Sequence, residues 1–510
     1  MTKTVRLILG DQLNQQHSWY NKIDDNIIYL MAEMRQETDY VKHHIQKVVG
    51  FFLSMRNFAN ALSNKGHQIE YYKINDSENP HELKELIKKT LNKYDATQFE
   101  YQLPDEYRLD TQLNQLANGL DVKIKTTDTE HFYTTRNELN DFFEGKKTLV
   151  MENFYRMMRK KHHIMVENDQ PEGGKWNFDQ SNRKKWTGSP TIPIEFDIKK
   201  DVAQLIKEIK DAGVESFGKI NSEAYNWPTN REESLLVLEH FCNHLLQHFG
   251  DFQDALHTKE KFLFHSRLSF SMNSKMLSPK EVIHKALEKF RDSDQIHISQ
   301  IEGFIRQILG WREYMRGIYW KEMPQYKTLN KLQNHNPLPD FFWTANTKMN
   351  CLQKAIGQSL DEAYAHHIQR LMIIGNYALL TQVHPDEVDS WYLGVYIDAI
   401  EWVEITNTRG MSQFADGGIV ATKPYVSSAN YINKMGDYCA NCHYKHTKKI
   451  GEDACPFNAL YWNFLDEKKE YFKNNQRMFM MLNLLKKKDA DELKALKNRA
   501  QKVIAEPQYF

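Results

Sequence analysis

Four of the five cysteines fall in a pattern that could hold metal. Cys439 and Cys442 stand three positions apart, Cys455 follows just before Pro456, and Cys351 lies far upstream. Two thiolates at that spacing point at one centre from a tight turn, and a third and fourth complete a tetrahedral sulfur set. Zinc and a [4Fe–4S] cluster both accept four thiolates, and spacing alone does not separate them. The distant first ligand and the Cys-Pro ending lean toward iron–sulfur, while His443 and His446 keep a mixed zinc site open. Cys242, in Leu238–Cys242, fits the apolar face of a helix and reads as core.

A second group is polar. In Ala365-His366-His367-Ile368-Gln369-Arg370, Arg370 follows His367 by three positions and His366 by four, so one helix face could present all three. An apolar stretch follows, so the helix should be buried, and a buried Arg needs a carboxylate or phosphate. Asp398, in Tyr396-Ile397-Asp398-Ala399-Ile400, is the candidate; a purely structural ion pair is the competing reading. Asn407–Met411 and Phe414–Gly418 form a polar, glycine-containing loop, with Tyr425 and Tyr431 beyond it. His265-Ser266-Arg267-Leu268-Ser269 and Trp311-Arg312-Glu313 offer hydroxyl and guanidinium donors suited to phosphate.

These groups need elements to position them. Residues 1–135 alternate strand and helix. Strands are predicted at Val5–Leu9, Ile27–Met31, His67–Ile74, Ala96–Leu103 and Leu120–Thr126, and helices at about Thr38–Leu62 and Glu82–Leu91. Such alternation implies a mostly parallel sheet with helices on its faces, and ligands at the carboxyl ends of its strands. Gly10-Asp11-Gln12 lies at such an end, but it is not a GxGxxG loop. Residues 136–200 read as a turn-rich interdomain connection carrying Arg183-Lys184-Lys185-Trp186. From 201 to 510 the pattern is helical, with helices predicted at Ser234–Leu246, Pro279–Arg291, Ile301–Tyr319, Leu360–Leu380 and Asp466–Leu485. The fold class is therefore an α/β Rossmann-like N-terminal domain joined to a larger all-α domain.

Composition bounds the function. The 510 residues carry 67 Lys+Arg against 67 Asp+Glu, so any nucleic acid must be held by a local patch rather than a global field. Aromatics reach 12%, enough for large cores and stacking surfaces. Export-signal character is lacking at the start, which argues against a disulfide framework, and no apolar run spans a membrane; a cytoplasmic, monomeric protein is expected.

Together the motifs resemble the cryptochrome/photolyase family, and more closely its iron–sulfur bacterial branch, which includes prokaryotic (6-4) photolyases. The resemblance rests on Leu9-Gly10-Asp11-Gln12-Leu13, Gly173–Asp179, Trp311-Arg312-Glu313-Tyr314, His366-His367-x-x-Arg370, the Asp398–Gly418 segment and the four cysteines. It implies an antenna domain at 1–135 and a helical domain holding FAD. By resemblance, Ser266, Leu268 and Ser269 match the family's phosphate segment, with His265 in place of its usual Thr. Arg312 lies near the flavin phosphates, Arg370 and Asp398 pair beside the flavin ring, and Glu404 stands where many relatives have Asn. Cys351, Cys439, Cys442 and Cys455 match [4Fe–4S] ligands, and Asp11 and Glu33 would bind a 6,7-dimethyl-8-ribityllumazine antenna.

The activity so implied is light-driven repair of (6-4) pyrimidine–pyrimidone photoproducts in DNA by electron transfer from reduced FAD. Proton transfer would fall to His366 or His367, the lesion pocket to Tyr425 and Tyr431, and flavin reduction to Trp391, Tyr392 and Trp343. Arg183, Lys184 and Lys185, and Arg156, Arg159, Lys160 and Lys161, are candidate contacts to the DNA backbone. A cryptochrome-type photoreceptor and a cyclobutane-dimer photolyase are the alternatives within the same fold.

Overall fold

The computed structural model describes residues 3–146 and 148–510. Five parallel strands form one sheet in the order Gln68–Tyr72, Ile27–Ala32, Thr4–Leu7, Gln98–Gln102, Lys123–Thr127. Ile28, Tyr29, Leu30 and Met31 are all buried, as expected of a central strand with both faces covered. The strand order changes direction between Thr4–Leu7 and Gln98–Gln102, which opens a crevice at their carboxyl ends.

All five predicted strands are present, with ends shifted by a few residues. The helix predicted from about Thr38 begins only at Ile45 and runs to Asn64. His43–His44 instead pairs with Ser216–Phe217, and His44 caps the helix by accepting from the Gln46 amide at 3.1 Å. A tertiary strand contact overrides the local helical pattern there. The helix Tyr107–Asn118, which buries Leu109, Leu113, Leu116 and Ala117, is missing from the sequence reading.

In the helical part, Pro279–Arg291 forms as predicted, behind a capping box of Ser278 and Glu281. The predicted Ile301–Tyr319 and Leu360–Leu380 helices are interrupted. The first passes through a π-helical segment, Arg306–Arg312. The second does not exist as one helix. Asn350–Glu362 ends at Ala363 with φ +52°, and the chain resumes in a π segment, Gln369–Gly375. Asp466–Leu485 is likewise divided among helices Pro456–Glu467, Lys469–Phe472 and Phe479–Lys486.

The packing also divides the chain differently from the linear reading. Within 136–200, helix Met151–Lys161 buries Phe154, Tyr155 and Met158 in the core of the helical body. Beyond 201, helix Ala203–Asp211 packs Leu205, Ile206 and Ile209 with Ile45 and Val48 of the α/β part. The two parts are tied by a buried ion cluster: Lys275 reaches Asp11 at 2.8 Å and Asp105 at 2.9 Å, and Arg316 approaches Asp105 at 3.4 Å. Among the described residues no helix is long and apolar enough to cross a membrane.

Candidate active site

A cavity of about 1040 Å³ opens into the helical body. That is the upper end of the range for ligand sites, roughly 300–1,000 Å³. Three π-helical segments contribute to its wall: Arg306–Arg312, Gln369–Gly375 and Thr406–Ser412. The wider turn of a π segment re-aims side chains, a feature frequent at functional sites. Gly375 lets two of these segments approach, since a Cβ there would lie 2.0 Å from Ser412 Oγ.

On its floor the predicted ion pair is formed. Arg370 Nη1 and Nη2 donate to Asp398 Oδ1 and Oδ2 at 2.9 and 3.2 Å, a bidentate match. Asp398 also accepts from Ser269 Oγ at 2.6 Å, and its carbonyl from Asn273 Nδ2 at 2.7 Å. Arg370 is further held by the Ala365 carbonyl at 2.6 Å and stacks 3.8 Å over Tyr396. Ser269 therefore spends its hydroxyl proton on Asp398; Ser266 and Leu268 also reach the cavity wall.

Arg312 lines the same cavity. Its Nη2 faces the Met272 carbonyl and Asn273 Oδ1, each at 3.3 Å, and His131 Nε2 at 3.1 Å, while Nε and Nη1 have no partner. A buried guanidinium with two idle donors is costly unless an anion completes it. Burial lowers its pKa to about 10. Glu404, also on the wall, has Oε1 unpartnered. Burial, reinforced by the Asp389 charge, raises its pKa well above the carboxylate range, which favours its protonated form.

The two histidines separate. His366 is buried and stacks flat on His265, rings 4.6 Å apart at 14°, away from the cavity lining. His367 lines the cavity, with its side chain exposed to that open space. The apolar walls around it, with the Arg370 charge adding to them, lower its pKa to about 4. Tyr425 and Tyr431 stand on the outer wall, with Arg183. Asp254 and Asp179 are there too, unnoticed in the sequence; burial and then Asp179 push the Asp254 carboxyl up to about 6.

Tyr392 is on the wall, and its hydroxyl donates to the Arg370 carbonyl at 2.6 Å. Trp391 packs 5.4 Å from Tyr392 and donates to the Phe342 carbonyl at 3.1 Å. Trp343, next in the chain to Phe342, is 45% exposed. Tyr392 is thus at the cavity, Trp391 in contact with it, and Trp343 at the surface, packed on Phe217.

A smaller cavity, about 160 Å³, sits at the crevice of the parallel sheet, between Leu7–Asp11 and Pro104–Glu106. Asp11 lines it, although Lys275 holds its carboxylate. Glu33 does not: it is fully buried and saturated by Arg56 at 2.6 and 2.9 Å, the Tyr71 hydroxyl at 2.7 Å and the Ile74 amide at 2.9 Å. The expectation that Glu33 faces an antenna pigment is corrected on that ground.

The four cysteines come together from three elements. Cys351 lies in the first turn of Asn350–Glu362, Cys439 and Cys442 in one turn, and Cys455 caps Pro456–Glu467. Cys351 feels the charges of all three others. Burial first, and the neighbouring thiols, raise Cys455 to about 12 and Cys439 to about 11. The raised pKa values make Cys351, Cys439 and Cys455 neutral thiols here; deprotonated around a cluster, they and Cys442 would supply a four-sulfur donor set. Among the described residues no three His, Cys, Asp or Glu side chains stand close enough to hold a single ion.

The basic clusters divide. Arg183 pairs with Asp179 and Lys184 with Asp251, yet both stay exposed, and Lys185 makes no ion pair among the described residues. Arg159 is not a DNA contact: it is buried and donates to the Ile164, Met165 and Trp176 carbonyls. Trp186 is covered and bonded to the Pro190 carbonyl, so it offers no stacking face.

Buried histidines also set an acid limit. His44 is lowered to about 4, and His131 and His366 well below 6.5, all chiefly by burial. Depressed histidines bind fewer protons folded than unfolded, so their stability is present above about pH 6.5 and lost as pH falls toward 4. Denaturant titrations at pH 7 and 5 should show stability falling by up to about 1.4 kcal/mol per pH unit per such histidine. Equal stability at both pH values would contradict this burial.

A parallel α/β sheet joined to a helical body around a deep cavity is the architecture of photolyases and cryptochromes. The fold matches a bacterial class III photolyase from Agrobacterium tumefaciens (TM-score 0.59, 12% identity, 96% of this chain and 98% of that one). It also matches the Synechocystis cryptochrome (TM-score 0.57, 11% identity, 97% and 93%). The chain belongs to the photolyase family: it is 40% identical over 478 residues to the (6-4) photolyase of Agrobacterium fabrum, covering 92% of this chain and 93% of that protein. Residues 6–225 match the family model for deoxyribodipyrimidine photo-lyase-related protein.

Proposed function

We propose that this protein is a light-dependent DNA-repair enzyme that reverses (6-4) photoproducts, with FAD in the large cavity. One observation carries the reading: a bidentate Arg370–Asp398 pair and a half-satisfied Arg312 share a cavity of about 1040 Å³ with two imidazoles on its wall, His367 and His265. The 40% identity to an enzyme named (6-4) photolyase supports it over 92% of the chain.

FAD, when bound and reduced, supplies the light-excited electron donor. The idle Nε and Nη1 donors of Arg312 suit its pyrophosphate, beside Ser266 and Leu268. Arg370 and Asp398 would flank the ring system, to which protonated Glu404 can donate a hydrogen bond. The lesion must leave the helix stack to enter, at a cost of a few kcal/mol that damage already reduces. Tyr425 and Tyr431 line the entrance, where they can stack on or hydrogen-bond the extruded bases. His367 is the group assigned to the proton transfer that (6-4) repair needs, while His366 is stacked on His265 away from the lining. Tyr392, Trp391 and Trp343 suit delivery of electrons from the surface.

The four cysteines would hold a [4Fe–4S] cluster in a structural role. Cys439→Ser is then expected to lower the yield of folded protein along with its iron, because metal binding is linked to folding. A stable, flavin-loaded variant would remove the structural role. The small cavity and Asp11 mark where an antenna pigment would go, but about 160 Å³ is less than a ligand of lumazine size needs, so no step depends on it.

The deciding test is a (6-4)-containing oligonucleotide incubated with purified, flavin-loaded protein in blue light and in darkness. Lesion loss in light alone is expected. Loss only of a matched cyclobutane dimer would assign the other repair chemistry, and loss of neither would point to a photoreceptor.

A further inference from the structure

The turn between Phe472 and helix Phe479–Lys486 leans on the mouth of the large cavity. Asn475 Nδ2 donates to the Thr422 carbonyl at 3.1 Å, and Arg477 and Lys423 both line the cavity. Neither Arg477 nor Lys423 makes an ion pair among the described residues, so two free cations stand at the rim. Beside them, Phe479 and Met480 are 63% and 68% exposed, and Leu484, one turn on from Met480, is 48% exposed. Scattered surface apolar groups need no explanation, but a contiguous set rimmed by cations does.

We infer that Phe479 and Met480 form an apolar wedge that enters the DNA duplex beside an extruded lesion, while Arg477 and Lys423 hold the flanking phosphates. Proteins that distort a duplex insert Phe, Met or Leu between base steps and recover the unstacking cost in new contacts. A base drawn into the cavity leaves such a gap, and this pair follows by two residues Arg477, which lines that cavity. Of the acidic groups nearby, Glu470 is paired with Lys473 at 3.3 Å and Asp179 with Arg183, while Asp254 lies on the cavity wall with its carboxyl raised by burial to about 6, so the exposed cations Arg477 and Lys423 are left to meet a polyanion. The inference rests on the repair reading above.

The test compares the same lesion in a duplex and in a short single strand, where no gap needs filling. F479A/M480A should lower light-driven repair of the duplex about tenfold, as expected for lost stacking on a base, and repair of the single strand less than about twofold. The wild-type chain failing on both substrates would refute the repair reading itself, not the wedge alone. Equal losses on both substrates, or none on either, would overturn the wedge with repair intact. So would a wild-type dimer in sedimentation that F479A/M480A dissolves, which would make the patch a self-association face. F479W/M480L, which keeps apolar bulk, should restore duplex repair.

Discussion

Replacing His367 with alanine is expected to lower light-driven repair by about 10²–10³-fold while flavin content stays unchanged, the scale of a lost general acid. The separation of effects follows from position. His367 lines the cavity but takes no part in the Arg370–Asp398 pair or in the carbonyl contacts of Arg312. Its pKa of about 4 leaves roughly one molecule in a thousand protonated at pH 7 in the empty cavity. DNA phosphate brings negative charge to the site and favours the charged imidazole, so the working pKa lies above 4. Repair should accordingly fall as pH rises through that working value, and H367A should lose this pH dependence along with the rate. Undiminished turnover, or a pH profile identical in the variant, would remove His367 from proton transfer. His366→Ala should behave differently, loosening a stacked and buried ring with effects on stability rather than on the pH profile.

Much of this site was legible in the sequence, and the reasons are particular. Arg370 and Asp398 each sat in apolar surroundings, and a buried charge demands a partner; the pair forms. The cysteine spacing likewise brought four thiols into one neighbourhood. What local pattern could not tell was where helices would break. Helical phase put His366, His367 and Arg370 on one face, but the chain between Glu362 and Gln369 is not one continuous helix, and only His367 of the two histidines meets the cavity. Nor could it tell which cations were already committed. Arg159 reads like Arg156 in a basic run, yet the backbone carbonyls of Ile164, Met165 and Trp176, where the chain folds back just past the helix, consume it. Glu33 stands at a strand end like Asp11, but Arg56, the twelfth residue of helix Ile45–Asn64, turns inward to saturate it. Each miss turns on how the chain folds back on itself, which composition and spacing do not encode.

Asp398→Ala should empty the cavity. Removing one partner of a buried pair costs about 3–5 kcal/mol, mostly because the remaining charge is stranded. Arg370 would keep the Ala365 carbonyl and its stack on Tyr396 but lose both bidentate bonds, and Ser269 would lose its acceptor. With the floor disordered, flavin content should fall at least about tenfold, the change that 1.4 kcal/mol produces. Asp398→Asn keeps a side-chain acceptor for Ser269, which alanine lacks, so it should retain more flavin than the alanine variant; the Asn273 bond to the backbone carbonyl survives in both. General destabilisation could mimic this result, and Glu100→Gln controls for it. Arg6 and Glu100 form an equally buried pair at 2.8 Å, but within the parallel sheet and away from the cavity. That variant should lose stability in denaturant titration and keep its flavin. If both variants lose flavin alike, loss reports unfolding and the Arg370–Asp398 pair has no special hold on the cofactor; if Asp398→Ala stays fully loaded, the pair is structural only.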